Sequence, residues 1–130
     1  MISFYLETDS GLPTYLQLVR QVEHALRLGR LQPGDQLPSV RDVVAELAIN
    51  PNTVAKAYRD LETRGLLDSR HGRGTFVREG VGIERSAVHV ALQRKIRRWV
   101  TEAIAEGMTR EDVAALFDST VHELFVEGVA

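Results

Sequence analysis

The sequence predicts a mainly α-helical protein in two parts: three helices and a two-stranded β-hairpin, then two more helices. Three observations predict this fold class. Apolar residues recur at helical spacing in five segments. Two short strand-like runs, separated by glycines, follow the third segment. A stretch without helical periodicity then divides the chain, which predicts a first domain over 1–78, a linker over 79–85 and a second part over 86–130.

Composition places the chain among soluble globular proteins of one or two compact units. Its 130 residues are 44% hydrophobic and 26% charged, which are ordinary values. The absence of cysteine excludes disulfides, thiolate-bound zinc and cysteine redox chemistry. The start lacks the features of a signal peptide, and no apolar run approaches the ~20 residues that span a bilayer. We therefore expect a cytoplasmic protein without membrane contact.

The net charge of −2 is unevenly divided along the chain. Residues 1–78 carry ten Lys and Arg against nine Asp and Glu, a balance of +1, whereas 79–130 carry six against nine, a balance of −3. The difference weakly favours the first part as a partner of nucleic acid, and the positions of individual charges matter more.

The first two helices follow from apolar spacing and capping signals. The first is predicted over 13–28, where Pro13 suits a first helical turn. A Pro-Gly turn over 31–35 follows it. Ser39 and Asp42 have the spacing of a capping box, which predicts the start of a second, short helix. The buried stripe of that helix is expected to consist of Val40, Val43, Val44 and Leu47.

The third helix is predicted to begin after Asn50, a capping residue, and to end before Gly65. Only a tight connection at 48–49 separates it from the second helix, which is the spacing of a helix-turn-helix. At 100° per residue, helical geometry places on one side the polar side chains of Asn52, Thr53, Lys56 and Arg59 and on the other Val54, Ala57, Tyr58 and Leu61.

The polar side of this helix starts at its N-terminus, where a recognition helix enters the DNA major groove. Asn52 is the best candidate for base readout, because asparagine can pair bidentately with adenine. An ordinary surface helix, however, also shows a polar face.

Two further places offer positive charge to DNA. Strand-like runs over 66–70 and 75–78 predict a hairpin, the wing of a winged helix-turn-helix, whose tip consists of His71, Gly72, Arg73 and Gly74. This tip suits minor-groove or phosphate contact, although it also suits an ordinary turn. Arg41, in the first turn of the second helix, could hold a phosphate or pair with Asp42 or Glu46.

The second part is predicted to form a long helix that starts near Ser86 and breaks at Gly107, and a last helix capped by Thr109 with Asp112. Two helices cannot enclose a core, so their apolar stripes must pack on the first domain, on a second copy of the chain, or on both. The predicted dimer interface consists of Leu92, Ile96, Trp99, Val100, Ile104, Leu116, Phe117, Val121, Leu124 and Phe125.

Several spaced motifs resemble the GntR-type bacterial repressors and, among them, the short YtrA-like subgroup. The resemblance covers roughly residues 4–78. It rests on Leu12-Pro13-Thr14-Tyr15-Leu16-Gln17, on the long turn from Gly29 to Pro38-Ser39-Val40-Arg41, on Asn50-Pro51-Asn52-Thr53-Val54-Ala55-Lys56-Ala57-Tyr58, and on the wing string Gly72-Arg73-Gly74-Thr75-Phe76-Val77.

The resemblance implies a winged helix-turn-helix that binds double-stranded operator DNA. It implies that the family's DNA-contacting positions are occupied here by Arg41, Asn50, Asn52, Thr53, His71, Gly72, Arg73 and Gly74, and we add Ser39, Lys56 and Arg59 as candidates. Some branches have arginine where Pro51 and Ala55 stand, so the base contacts of those branches do not transfer to these two positions.

The short tail resembles the two-helix dimerisation segment of the same subgroup. The implied function is a homodimeric repressor at an inverted-repeat operator, with control of a transporter operon and of its own gene as expectations from kinship. A small effector could bind between the tail helices and the winged domain, near Trp99, although a plain dimer core is the simpler interpretation.

Other classes of function find less support. No glycine-flanked nucleophile or convergent acid and base is visible, so an enzyme is not expected. The four histidines lack the spacing of metal ligands, so neither a metal site nor a cofactor is expected. The rival interpretation is a winged-helix module that binds protein partners and no DNA.

Overall fold

The computed structural model describes residues 1–81 and 87–126, and for residue 87 the backbone alone. The chain divides into two compact units, Met1–Arg85 and Ser86–Ala130. The first contains α1 (Thr14–Arg27), α2 (Val40–Leu47), α3 (Pro51–Thr63), β1 (Leu67–Arg70) and β2 (Gly74–Val77), and the second contains α4 (Ala87–Ala105) and α5 (Arg110–Val126). The predicted fold class is confirmed. Most of the predicted linker, 79–85, and the predicted helix start at Ser86 lie outside the described residues.

The helix starts show the predicted caps. The Ser39 hydroxyl accepts a hydrogen bond from the Asp42 N–H (3.0 Å), and the Asn50 side chain accepts one from the Asn52 N–H (2.8 Å). The turn between α2 and α3 passes through Ala48 in the left-handed region, with φ of 54°. One position differs from the prediction: Pro13 lies just before α1, with an extended ψ of 143°. Its carbonyl accepts the first hydrogen bonds of the helix instead.

The core of the first unit surrounds α3, which packs on both α1 and α2. Its largest fully buried side chains are Leu18, Val19, Val22, Leu37, Val43, Val54, Leu61, Leu67 and Val77. An extended N-terminal segment, residues 1–7, adds Phe4, which is only 4% exposed. The sequence analysis did not predict this segment.

Two glutamines of α1 hold the extended segment. The Gln21 amide accepts from the Tyr5 N–H (3.1 Å) and donates to the Tyr5 carbonyl (2.8 Å). The buried Gln17 amide makes the same pair of bonds to Glu7, at 2.9 and 3.1 Å. Each amide therefore replaces one rung of a β-ladder, and α1 serves as the partner that the segment otherwise lacks.

The second unit is a pair of helices with almost no interior of its own. A reciprocal capping box starts α5, since the Thr109 hydroxyl accepts from the Asp112 N–H (3.1 Å) and the Asp112 carboxylate accepts from the Thr109 N–H (3.0 Å). Hydrogen bonds to the carboxylate from the Thr109 N–H and, second, from the Thr109 side chain lower the pKa of Asp112. The rings of Trp99 and Phe117 approach to 6.2 Å between centroids. Among the described residues of the unit, only Ala103 is a buried hydrophobic residue.

No helix within the described ranges is long and apolar enough to cross a membrane.

Candidate nucleic-acid interface

The N-terminal half of α3 presents the polar face that its sequence predicts. Asn52 and Arg59 are exposed and Thr53 is half-buried. The opposite side of the helix lies in the core, where Val54, Ala57, Tyr58 and Leu61 are buried. Because Pro51 occupies the first turn and the Asn50 side chain caps it, the helix begins abruptly, and Asn52 stands at its exposed end.

Lys56 is placed differently from the other polar residues of α3. Its ammonium nitrogen lies 4.1 Å from the centroid of the Tyr15 ring, a cation–π contact between α3 and α1. This contact brings Tyr15, at the start of α1, beside the polar face. Sequence reasoning did not select Tyr15 as a site residue, although the residue stands inside the motif Pro13-Thr14-Tyr15.

Arg41 is exposed in the first turn of α2. No salt bridge of the described residues involves it, whereas the Glu46 carboxylate accepts a hydrogen bond from the Ser3 hydroxyl (3.0 Å). Of the two interpretations of Arg41, the geometry favours a cation free to meet an external anion over one neutralised by Asp42 or Glu46.

A buried hydrogen bond holds α3 against the segment before α2. The Tyr58 hydroxyl donates to the Pro38 carbonyl at 2.6 Å. Burial, with the nearby Asp42 carboxylate as a second cause, raises the pKa of Tyr58, so the hydroxyl stays a protonated donor. Since Pro38 is three residues before Arg41, this bond fixes the spacing between Arg41 and the polar face of α3.

The wing is an antiparallel hairpin in which Arg70 pairs with Gly74 and Leu67 with Val77. Its tip has Gly72 at φ of 71° and Gly74 at φ of 120°, conformations that suit glycine. The predicted strand bounds change slightly: β1 begins at Leu67 rather than at residue 66, and β2 runs from Gly74 to Val77.

Gln36 anchors the tip of the wing. Its side-chain amide donates to the Arg73 carbonyl at 3.1 Å, and its backbone forms an isolated antiparallel bridge with Phe76. A Cβ atom at Gly74 would lie 2.7 Å from the same amide nitrogen, so a larger residue there would displace the Gln36 side chain, and the φ of 120° would strain it as well. Sequence reasoning missed Gln36, because the contact joins residues 37 positions apart and no local pattern announces it.

Several cations of the first unit are exposed or lie over an aromatic ring, and some of its acidic groups form salt bridges with other arginines. Arg70 stacks on the Phe76 ring, with its guanidinium carbon 4.5 Å from the ring centroid, and His71 and Arg73 are exposed at the tip. Acidic groups nearby are engaged by other cations: Asp60 and Glu23 by Arg64, at 3.0 and 3.4 Å, and Asp68 by Arg78, at 3.4 Å. No salt bridge within the described part involves Arg41, Arg59 or Arg73. Although the net charge of the chain is −2, its first unit has exposed arginines without a salt bridge on α2, on α3 and at the wing tip.

Comparison with known proteins agrees with this geometry. The family described as "Bacterial regulatory proteins, gntR family" matches residues 14–77, from α1 to the end of the wing. The HTH-type transcriptional regulator YhcF of Bacillus subtilis is 34% identical over 110 residues, which cover 81% of this chain and 87% of YhcF. The chain belongs to the GntR family. The family and this relative are transcriptional regulators, and the protein is not an enzyme.

Further members resemble it in sequence and structure. The transcriptional repressor YtrA of Bacillus subtilis is 40% identical over 74 residues, which cover 57% of each chain. YtrA from Sulfolobus acidocaldarius, a GntR-family transcription factor, matches with a TM-score of 0.54 and 28% identity over 75% of this chain and 97% of its own. The DNA-binding domain of AraR, solved in complex with an operator, matches with a TM-score of 0.51 and 26% identity over 58% and 95%.

Proposed function

We propose that this GntR-family regulator represses transcription as a homodimer on an inverted-repeat operator. The observation that carries the proposal is the joint exposure of three elements of the first unit: the N-terminal face of α3, Arg41 and the wing tip. All three belong to a domain of the kind that AraR uses on its operator. The repressor activity is supported by the relative named YtrA.

Each element has a distinct role in the proposed complex. Asn52 reads a base edge in the major groove, with Asn50 and Thr53 beside it at the helix start. Arg41 and Ser39 position the domain on the phosphate backbone, and Arg59 adds charge further along the helix. The wing contacts the neighbouring minor groove or its phosphates through His71, Gly72, Arg73 and Gly74. Lys56 contributes to phosphate contact from its position over Tyr15.

The second unit supplies the proposed dimer interface. Along α4 and α5 most of the large apolar side chains are exposed in the single chain, with Ile104 at 64% and Phe125 at 85%, whereas Trp99 and Val100 are half-buried. Within the described part of the chain, α5 has no buried residue. A soluble protein rarely leaves so large an apolar surface uncovered. A second copy would cover it, and two-fold symmetry would place the two α3 helices in successive major grooves, about 34 Å apart.

An open apolar cleft of ≈ 600 Å³ lies beside Trp99, Val100 and Phe117 in the second unit. We assign it to the dimer interface rather than to an effector. A thermal-shift screen of metabolites checks this assignment: a ligand that raises the unfolding temperature, and loses that effect in a Trp99→Ala variant, would identify the cleft as an effector site instead.

The first experiment measures fluorescence anisotropy on DNA from upstream of the protein's own gene and on a scrambled duplex of equal length, at low and at physiological salt. The proposal expects preference for the native duplex at physiological salt. A transcription assay on the same fragment then tests repression. A reporter fused to the promoter of a neighbouring transporter operon tests whether the protein also controls such an operon. Absence of binding to either duplex at low salt would instead favour a protein-interaction module.

A further inference from the structure

One strongly charged surface has no role in the function proposed so far. Four of the six Lys and Arg residues after position 78 lie within five positions of α4, namely Arg94, Lys95, Arg97 and Arg98. All four are exposed, and no salt bridge within the described ranges involves any of them. The charge balance of α4 is +3, against −3 for α5 (one Arg, four Asp or Glu), so the cluster is an exception in an acidic segment.

Arg94 and Arg98 lie on the side of α4 that faces away from its apolar stripe, and Arg97 lies at the edge of that side. With Ile96 as the origin, helical geometry places Arg97 at about 100°, Arg94 at about 160° and Arg98 at about 200°. The apolar stripe, which includes Ile96 and Val100, lies within about 80° of the origin. A dimer formed through the apolar stripe would therefore leave Arg94 and Arg98 on its outside and Arg97 at its rim. We call the surface of Arg94, Arg97 and Arg98 the basic face.

Electrostatic repulsion between the clustered arginines would be relieved by a bound polyanion. Like charges three and four positions apart on a helix repel each other, as Arg94 does with Arg97 and with Arg98. Only Glu102, four residues after Arg98, offers partial compensation on the same helix. A row of phosphates would remove the repulsion, and arginine is the residue whose planar fork suits phosphate oxygens.

The residues of the basic face favour a nucleic acid over a protein as its partner. A protein interface needs an apolar or aromatic centre from which charged residues are depleted. The other positions in this sector include Val90, Thr101 and Ala105, so the face contains one large apolar residue, at its N-terminal end, and no aromatic residue or apolar cluster at its centre. The inference rests on the proposed DNA binding. We propose that the basic face contacts the phosphate backbone of DNA, so that the second unit extends the DNA-binding surface beyond the winged helix.

The test compares the full-length chain with R94Q/R97Q/R98Q and with a matched control, R20Q/R27Q/R30Q. The control removes three exposed arginines from α1 and the turn after it, so the net charge falls by three in both variants. Anisotropy on a random-sequence duplex of about 40 bp, between roughly 50 and 200 mM salt, gives the affinity and the salt dependence of each.

We expect the basic-face variant to bind about tenfold more weakly at the middle of this range, with a salt slope smaller by about 2 to 3 per protomer, because each phosphate contact releases close to one counterion. The control variant should change much less. Circular dichroism should show that both variants keep their helices, and sedimentation equilibrium should show an unchanged assembly.

Three results would overturn the inference. Equal loss in the two variants would mean that only net charge matters. An unchanged slope in R94Q/R97Q/R98Q, while Arg73→Gln lowers both slope and affinity, would leave the proposed DNA binding intact and remove the basic face from it. Dissociation of the assembly in the basic-face variant would assign the arginines to the acidic residues of a second copy. A wild-type chain that binds no duplex at low salt would instead refute the proposed function itself.

Discussion

The two units of this protein bury their apolar residues in opposite ways. In the first unit, three helices, a hairpin and an extended segment enclose a core, and Leu18, Val54 and Leu61 have no exposed surface. In the second unit, two longer helices leave nearly every large apolar side chain accessible. Amphipathic helices in the two units thus differ in how much of their apolar face is buried, because two helices alone leave that face open and a third element must cover it. The first unit contains that surface, and the second must obtain it from elsewhere.

The largest effect on stability is expected for a substitution in the core of the first unit. Leu61→Ala removes a fully buried side chain from α3 and should reduce the free energy of unfolding by about 2–5 kcal/mol, through lost burial and the cavity left behind. Ile104→Ala, at a position 64% exposed in the single chain, is the matched control. Urea unfolding measures both variants. At concentrations where only monomer is present, an Ile104→Ala loss as large as that of Leu61→Ala would contradict the comparison.

The second effect concerns how the apolar face of the second unit is covered. Leu116→Asp places a charge in the proposed dimer interface and should weaken dimerisation at least tenfold, since an unpaired charge would be buried. Ala115→Asp introduces the same charge on the exposed polar side of α5 and should leave the dimer intact. Sedimentation equilibrium over a concentration series distinguishes them. Equal dissociation constants for the two variants would show that α5 is covered by something other than a second copy.

The third effect distinguishes base readout by Asn52 from phosphate contact by Arg41. Asn52→Ala should lose discrimination at one base position per half-site, worth roughly 1–3 kcal/mol. Arg41→Ala should weaken binding to all sequences and reduce the salt slope by roughly one. Competition binding with single-base operator variants measures the first change, and a salt titration the second. If Asn52→Ala weakened binding uniformly on every sequence, Asn52 would be a positioning residue rather than a base reader.

An effect similar in size to that of Asn52→Ala, but on stability, is expected for the hydrogen bond that holds α3 against the segment before α2. Tyr58→Phe leaves the buried Pro38 carbonyl without its donor and should cost about 1–3 kcal/mol of stability. Tyr58 also predicts a dependence on pH. Its folded pKa is raised above the ordinary 10.0, so the unfolded chain releases the proton first.

The stabilisation from Tyr58 is therefore complete below pH 10.0 and is lost as the pH rises from there toward the raised folded pKa. The unfolding free energy of wild type minus that of Tyr58→Phe, measured across pH 8 to 11 at about one-unit steps, should be constant at first and then fall. A difference that stays flat through pH 11 would show that the hydroxyl ionises equally in both states.

Sequence reasoning succeeded where the decisive interaction is local. Ser39 and Thr109 are predicted as caps from their spacing to an aspartate three positions later, and Asn50 from its residue type just before Pro51. Each accepts a hydrogen bond from an N–H two or three positions later. The polar and buried sides of α3 likewise follow from helical periodicity alone. The roles assigned to the DNA-facing residues remain predictions, because an exposed side chain shows where it lies and not what it binds.

Sequence reasoning failed where one residue acts on another far along the chain. Gln36 and the wing tip, Lys56 and Tyr15, and the two glutamines that hold the N-terminal segment were all missed as contacts. The glutamines and Lys56 are polar, and Tyr15 belongs to the apolar spacing of α1, so no local pattern pairs any of them with its partner. Only the folded chain brings its partner within reach.

What the sequence by itself determined, then, is the set of helices, their caps, the hairpin and the family, because these depend on residues close together in the chain or on motifs read in order. The tertiary structure decided which polar residues contact another part of the chain, as Lys56 does over the Tyr15 ring, and which make no salt bridge, as Arg41 illustrates. It also decided that one unit closes its own core while the other leaves its apolar stripes open. The physical reason is that an apolar helix face is buried only when another element packs against it, and the sequence of one helix does not say which element that is.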